Sequence, residues 1–526
     1  MKEVKVSSEA QTCDSTIGTV AGRWQRLDGA RSSILQRARQ CAELTIPVLL
    51  PPAGHKETQP LPTPYQSLGS RGVNNLASKL LLALFPPNSP FFKMAIDDFT
   101  LEKLTQQEGM RAQVEKALNK IERAVMTTIE TEALRVPAFL ALKYLVGIGN
   151  ALVFLTAEGG MQVFRLDQYV VKRDQMGNVL EIIVKESISP VVLPVEIQPE
   201  KFDPEKEVDL YTRIVRKRKK WEIAQECEGK VVPGSQGSYP IDESPWIPLR
   251  WTAINGEDYG RGLVEEYLGD LRSLEALSQA IVEGSAAAAK VLFLVKPNGT
   301  TRLKTISDSN NGDVKSGDAN DVSVLQMEKF NDFRVALETM SKIEQRLSQA
   351  FLLMSSIQRN AERVTAEEIR AMASELEDAL GGVYSVLSQE FQLPLVKCVM
   401  YQMGRKKNLP SLPKDKIKPM ITTGLEALGR GHDLNKLDTF INGLMPLGAE
   451  VLMQYLNISD YITRRGTSLG IDMDGLVKTE EEVAQAQQQA MLAQTAQQAA
   501  PGAINQITKG MMDQMKQQPS QGEPVG

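Results

Sequence analysis

Histidine is nearly missing from this chain, with only His55 and His432 in 526 residues. Neither carries a paired ligand spacing around it, which argues against a histidine-built metal centre. Cysteine is also scarce. Cys13, Cys41, Cys227 and Cys398 are scattered, so neither a disulfide framework nor a zinc knuckle is supported. No apolar run approaches the roughly 18 residues that a bilayer-crossing helix needs. The start, Met1-Lys2-Glu3-Val4-Lys5, leads into polar residues rather than an apolar signal segment. A cytoplasmic chain that engages no membrane is expected. The phosphate loop G-x-x-x-x-G-K-[ST] is absent, and so is G-x-S-x-G. Gly256, Gly260 and Gly262 are too irregular for a dinucleotide fingerprint and mark turns. The expectation is therefore no enzyme, no cofactor and no metal, and any ATP-driven motor acting with this chain is a separate subunit.

What is present is helix. From Gly262 to Lys290, apolar Val264, Tyr267, Leu268, Leu271, Leu274, Leu277 and Ile281 recur every three or four residues. Glu265, Glu266, Asp270, Glu275 and Glu283 make the opposite face mostly acidic, and Ser285-Ala286-Ala287-Ala288-Ala289 extends the helix with small side chains. A second helix is predicted over Asn331–Ile357, striped by Phe333, Leu337, Met340, Ile343, Leu347, Phe351 and Met354. At a rise of 1.5 Å per residue each would span roughly 40 Å. Taken alone, this periodicity fits an antiparallel hairpin in a globular core equally well. A third helix starts at a capping box, Thr365 to Glu368, with Val364 and Ile369 as the hydrophobic staple. Gly381-Gly382 predicts a kink in it. Between helices two and three lies a short polar loop, Ser355 to Arg363, with two arginines.

The remainder reads as mixed α/β. Helices are predicted over 20–44, 71–85, 110–132 and from Pro137, and strands over 151–155, 161–166, 169–173, 179–185, 208–232 and 246–251. Strands at 291–295 and 322–326 bracket a polar insert at the far ends of the two long helices. Arg216-Lys217-Arg218-Lys219-Lys220 is the one basic cluster in a chain whose 60 basic and 65 acidic residues leave a net charge of −5. It is read as an exposed hairpin turn ahead of a nucleic-acid patch, and both readings stay open.

Four strings, in order and correctly spaced, resemble the portal proteins, or head-to-tail connectors, of short-tailed double-stranded DNA bacteriophages. They are Arg71 to Leu80 with Ala83-Leu84-Phe85-Pro86; Tyr259-Gly260-Arg261-Gly262 through Glu275; Glu362 to Arg370 with Ala373 to Glu377 and Leu380 to Tyr384; and Thr423 to Gly431. The resemblance runs from about residue 20 to residue 480. It implies a mixed α/β, helix-rich portal fold assembling as a ring, with a flexible N-terminus (1–19) and a wing (20–259). Stem helices (260–290 and 331–354) would flank a clip (291–330), followed by a tunnel loop (355–363), a long helix with the rest of the wing (364–423) and a helical crown (424–483). A Gln/Ala-rich tail (484–526), partly disordered, falls outside it.

The function implied is a twelve-subunit ring at one capsid vertex, through which double-stranded DNA is packaged and ejected. The partners implied are terminase, tail adaptor proteins, scaffold, internal core and major capsid proteins. The ring would reside in the virion, after assembly in the host cytoplasm. A conduit suits the charge pattern, since many phosphate contacts would hold DNA fast by counterion release, whereas a neutral or acidic wall lets it slide. The acidic face of the 262–290 helix would suit such a wall. In the loop, Arg359 and Arg363 are candidates to touch phosphates, with Gln358 and Asn360 as neutral contacts. An internal scaffold or core protein without a channel is the alternative, and an enzyme with a carboxylate-held metal is a more distant one.

Overall fold

The computed structural model describes residues 18–56, 58–87, 90–96, 110–198, 203, 205–288, 292–325, 330–353, 366–380, 382–407, 409, 419–423, 438–448, 461, 462 and 465. The chain divides into two compact units, Met1–Leu428 and Gly429–Gly526. The 355–363 loop, the Thr365 cap, most of 424–483 and all of 484–526 lie outside the described residues.

The first unit opens with α1 (Val20–Ala30), whose first turn is capped by the Thr19 hydroxyl accepting from the Gly22 N–H. The next helix, α2 (Ser32–Glu43), begins only one residue later, so the single helix expected over 20–44 is two. Arg31 causes the break. Its buried guanidinium donates to the Leu166 and Tyr169 carbonyls and to Asp28, and lies over the Trp24 and Tyr259 rings. Hydrogen bonds to a charged group are worth about 1.5–3 kcal/mol each, enough to interrupt a helix ladder.

Next come α3 (Leu68–Leu84), β1 (Phe92–Ile96), α4 (Met110–Thr131) and α5 (Arg135–Ile148). In α5, Ala138, Ala141, Leu142, Leu145, Val146 and Ile148 are all buried, so it is walled by protein on most sides. It stops at Gly149, whose φ of +81° only glycine adopts easily. The Cβ of any other residue there would lie 2.3 Å from the Gly262 nitrogen.

A three-stranded antiparallel sheet follows, with β2 (Asn150–Leu155) between β3 (Met161–Phe164) and the later β10 (Trp246–Arg250). The larger sheet runs β4 (Tyr169–Arg173), β5 (Val179–Ile188), β6 (Val208–Lys217), β7 (Lys220–Cys227), β8 (Lys230–Val231), with β9 (Gly237–Pro240) also on β7. The expected turn between β4 and β5 is there: Asp174 accepts from the Met176 and Asn178 N–H groups, at 2.9 and 2.8 Å.

The helical middle consists of α6 (Leu263–Glu266), α7 (Leu268–Ala288), β11 (Leu292–Val295), α8 (Leu303–Ser307), β12 (Val322–Leu325) and α9 (Phe330–Ala350). The chain continues through α10 (Ala366–Ala379), α11 (Val383–Leu387), a π-helical turn (Ser388–Gln392), α12 (Leu393–Arg405) and β13 (Pro419–Thr423). The Gly381-Gly382 interruption is as expected. Gly382 is left-handed at φ +89°, and Glu377 reaches across to accept from the Ser385 N–H and hydroxyl.

Three strands were not legible beforehand: β9, and β1 with β13, which pair antiparallel, Phe92 opposite Thr423 through Ile96 opposite Pro419. The main apolar core of this unit runs from Leu76 and Leu80 of α3 through Leu142, Leu152 and Leu271 to Phe391 and Val396, with two smaller clusters around Leu210 and around Trp24.

In the second unit, residues 438–444 are helical and lead into a 3-10 turn, Met445–Leu447. Tyr461 donates to Asp438 at 3.3 Å, and Arg465 donates to the Tyr461 hydroxyl and pairs with Asp438.

Candidate functional site

The two long helices α7 and α9 pack against each other. Three contacts run them antiparallel. Arg346 pairs with Asp270 at 2.8 Å, the Ser278 hydroxyl meets the Met340 sulfur at 3.7 Å, and the Phe333 ring lies against Gly284. A Cβ on Gly284 would sit 2.6 Å from that ring, so the glycine allows the close crossing. Each helix has 21 residues, about 31 Å at 1.5 Å per residue, shorter than expected. One reason is the break at Tyr267, which lets Leu263 and Val264 face the α5 side while Leu271 and Leu274 face the hairpin. The other is that α9 ends at Ala350 rather than near residue 357.

That end is held from outside. Leu352 has φ +51°, a left-handed conformation that a leucine adopts only under constraint. The side-chain amide of Asn75 donates to the Phe351 and Leu352 carbonyls, both at 3.1 Å, and the Lys79 ammonium donates to Leu352 O at 2.9 Å. These are the carbonyls a helix C-terminus leaves without partners. The Phe351 ring rests on Gly72, where a Cβ would meet it at 2.5 Å. Burial lowers the Lys79 pKa, and the nearby Glu375 partly restores it. The string Arg71 to Leu80 therefore docks the end of α9. Sequence reading missed Asn75 and Lys79, although two polar side chains within the buried stripe Val73, Leu76, Ala77, Leu80 were the signal.

The string Tyr259-Gly260-Arg261-Gly262 works the same way at the start of the hairpin. Asn150 and Gly260 exchange two hydrogen bonds, at 2.7 and 2.8 Å, and Gly262 packs on Gly149. Arg261 pairs with Glu257 and Glu265, and the Tyr259 hydroxyl accepts from the Val171 N–H. Within the third string, Tyr384 donates to Ala83 O at 3.2 Å, and nearby Gln392 donates to Leu84 O, satisfying the C-terminus of α3.

The acidic face of α6 and α7 is less free than the sequence suggests. Glu265 pairs with Arg37 and Arg261, and Asp270 pairs with Arg346. Glu275 accepts from the Tyr65 and Gln66 backbone N–H groups, while Glu283 accepts from the Tyr65 hydroxyl and Gln279. These carboxylates fasten the 65–66 segment and Arg37 to the helices, beside a groove of about 380 Å³ whose lining includes Arg71, Met340 and Glu344. Glu266 stays exposed.

At the other end β11 and β12 pair antiparallel, Leu292 opposite Leu325 through Val295 opposite Val322. They close the insert at its base, as the sequence implies. Asp321 knots it: one carboxylate oxygen accepts from the Thr300 N–H at 2.7 Å, the Thr300 hydroxyl at 3.1 Å and the Thr301 N–H at 3.2 Å. The Thr301 N–H is the main cause holding the Asp321 pKa low. Beyond the knot the insert is open, with residues 307–320 exposed. Gln358, Arg359, Asn360 and Arg363 lie outside the described residues. Among the described residues no group of His, Cys, Asp and Glu could hold a metal ion, and no helix is long and apolar enough to cross a membrane.

The described residues thus assemble a hairpin of long helices with an open insert at one end and a locked helix terminus at the other. A family model described as "Bacteriophage head to tail connecting protein" matches residues 18–477. The chain belongs to this family. Among connecting proteins it is 41% identical over 509 residues to the portal protein of Escherichia phage T7, covering 94% of each chain. It is 43% identical over 487 residues to the portal protein of Enterobacteria phage T3, covering 90% of each. The portal protein of Enterobacteria phage SP6 is 30% identical over 507 residues, covering 92% of this chain and 96% of that one. A solved structure, the neck of an empty GTA particle computed with C6 symmetry, aligns with 77% of this chain and 90% of that chain at 13% identity and a TM-score of 0.35.

Proposed function

We propose that this connecting protein is a portal subunit that closes into a ring at one capsid vertex and conducts double-stranded DNA during packaging and ejection. The likeness to curated portal proteins over more than nine-tenths of the chain carries this reading. The physics supports it. A head-to-tail interface closes into a ring when its rotation divides the circle, and a rigid helix hairpin repeated side by side supplies such an interface. In the proposed division, 20–259 with 364–423 is the wing, α7 and α9 are the stem, 291–330 is the clip and 424–483 is the crown. The clip docks terminase during packaging and tail adaptors afterwards, while crown and wing face scaffold, core proteins and packaged DNA. The ring number is twelve.

Negative-stain electron microscopy of the purified chain tests this. Rotational averages should show a ring with a central hole and near twelve-fold symmetry, whereas monomers, sheets or filaments across several salt conditions would remove the conduit. The loop 355–363 is proposed to face the channel, with Arg359 and Arg363 touching phosphates and Gln358 and Asn360 beside them. The double variant Arg359→Ala/Arg363→Ala should assemble rings yet package or retain DNA abnormally. Normally filled heads with normal ejection would refute that role.

A further inference from the structure

The basic cluster at 216–220 has no part in the stem or the channel loop. Its five residues form the tip of the β6–β7 hairpin, with Lys217 opposite Lys220 and only Arg218 and Lys219 between them. Residues 217–220 are exposed. One carboxylate, Glu222, serves both Lys217 at 2.8 Å and Lys220 at 3.0 Å. Among the described residues, Arg218 and Lys219 have no ion-pair partner. Asp174, in the adjacent β4–β5 turn, lies within electrostatic reach of Arg216, but its carboxylate already accepts from Met176 and Asn178.

The turn itself points the same way. Arg218 has φ +31°, at the first central position of a two-residue hairpin, a place such turns usually give to glycine. An arginine there bears backbone strain and, among the described residues, gains no side-chain hydrogen bond or ion pair. Below the tip, a groove of about 550 Å³ is lined by Arg213, Lys217, Lys220, Glu222, Gln236 and Ser238. Among the described residues, the large apolar side chains exposed on the adjacent β4–β5 turn and β5 are Met176 and Leu180, too few for the central anchor cluster of a protein interface. A polyanion needs no such anchor.

We propose that this hairpin tip binds the phosphate backbone of duplex DNA, without regard to sequence. Arg218 and Lys219 supply the uncommitted charges, and Arg216, Lys217 and Lys220 stand beside them. Contact of this kind places positive charge locally on a chain that is −5 overall, so DNA is held at the tip without being held along the rest of the surface.

The test uses the full-length protein and covalently closed circular plasmid, which cannot thread a closed ring, so binding does not read passage through a ring's hole. Affinity is measured against salt for the parent, for Arg216→Gln/Arg218→Gly/Lys219→Ser, and for the charge-preserving Arg216→Lys/Lys219→Arg. Each lost phosphate contact flattens the slope of log K against log salt by about 0.9. The triple variant should therefore lose about 2–3 from the slope and at least about tenfold in affinity near 0.1 M salt, while the charge-preserving variant binds like the parent. Glycine at 218 relieves the strained φ, so the fold should persist. If the triple variant melts early, Arg216→Gln and Lys219→Ser are tested singly, each expected to lose about 0.9. Unchanged affinity and slope would overturn the proposal. So would a parent that binds polyglutamate but not plasmid, which would point to an acidic protein instead.

Discussion

At Gly72 the absence of a methyl group decides where a long helix stops. The Phe351 ring occupies the space a Cβ would need, and the chain then turns through Leu352 at φ +51°. Gly72→Ala should cost about 1–3 kcal/mol, the usual penalty for overpacking a filled site, and trimming Phe351 in the same chain should recover most of it. Thermal melts of the two single variants and the pair would show this as a coupling; additive losses would mean the ring does not bear on Gly72. Asn75→Ala leaves the Phe351 carbonyl without its donor and should destabilise by about 1–3 kcal/mol. A sequence reader sees Asn75 and Lys79 as polar residues on a buried helical face and can suspect a partner. Nothing local names that partner, because it lies more than 270 residues further along the chain.

Among elements, the insert between α7 and α9 depends most on one group. Asp321 gathers three donors onto one oxygen, and its pKa lies below the ordinary 3.8. A carboxyl held low in the folded state contributes stability that is fully present above 3.8 and is lost as pH falls through the lower, folded value. Acid should therefore loosen the insert before the core. Asp321→Asn should do the same at neutral pH, seen as faster amide exchange over 296–321 with α7 and α9 unchanged; equal protection in parent and variant would contradict the knot. Periodicity was a good guide where each element is stabilised locally. The strand Tyr169–Arg173 falls where alternation predicts it, as does the Gly381-Gly382 break. It failed where a distant group overrides local preference. Buried Arg31 divides α1 from α2, and β1 and β13 are each too short and too plain to be read without one another. The candidate channel residues rest on family resemblance alone, since a solvated connector and a channel loop share one composition.

For the whole molecule, the question is what the exposed faces of α7 and α9 are for. Val282, Val335 and Leu337 are 55%, 62% and 46% exposed on α7 and α9, although the chain has an ample core in which to bury them. A ring of identical subunits would cover such residues with the next copy. Val335→Asp should leave the subunit's melting point nearly unchanged, because a surface substitution typically shifts stability by less than about 0.5 kcal/mol, and it should abolish rings in electron micrographs. Intact rings in that variant would place the subunit contact elsewhere.

The pairing of β1 with β13 has a consequence in time. Chains leave the ribosome at about 5–20 residues per second, so the interval between residues 96 and 419 is roughly 16–65 s. Throughout that interval β1 has been synthesised and its partner has not. A nascent chain therefore carries an unfinished strand edge for most of its synthesis, and a chain truncated before residue 419 never closes it. The fold of the first unit is thus completed only after more than four-fifths of its residues have been made, because the strand that pairs with β1 is encoded close to that unit's end.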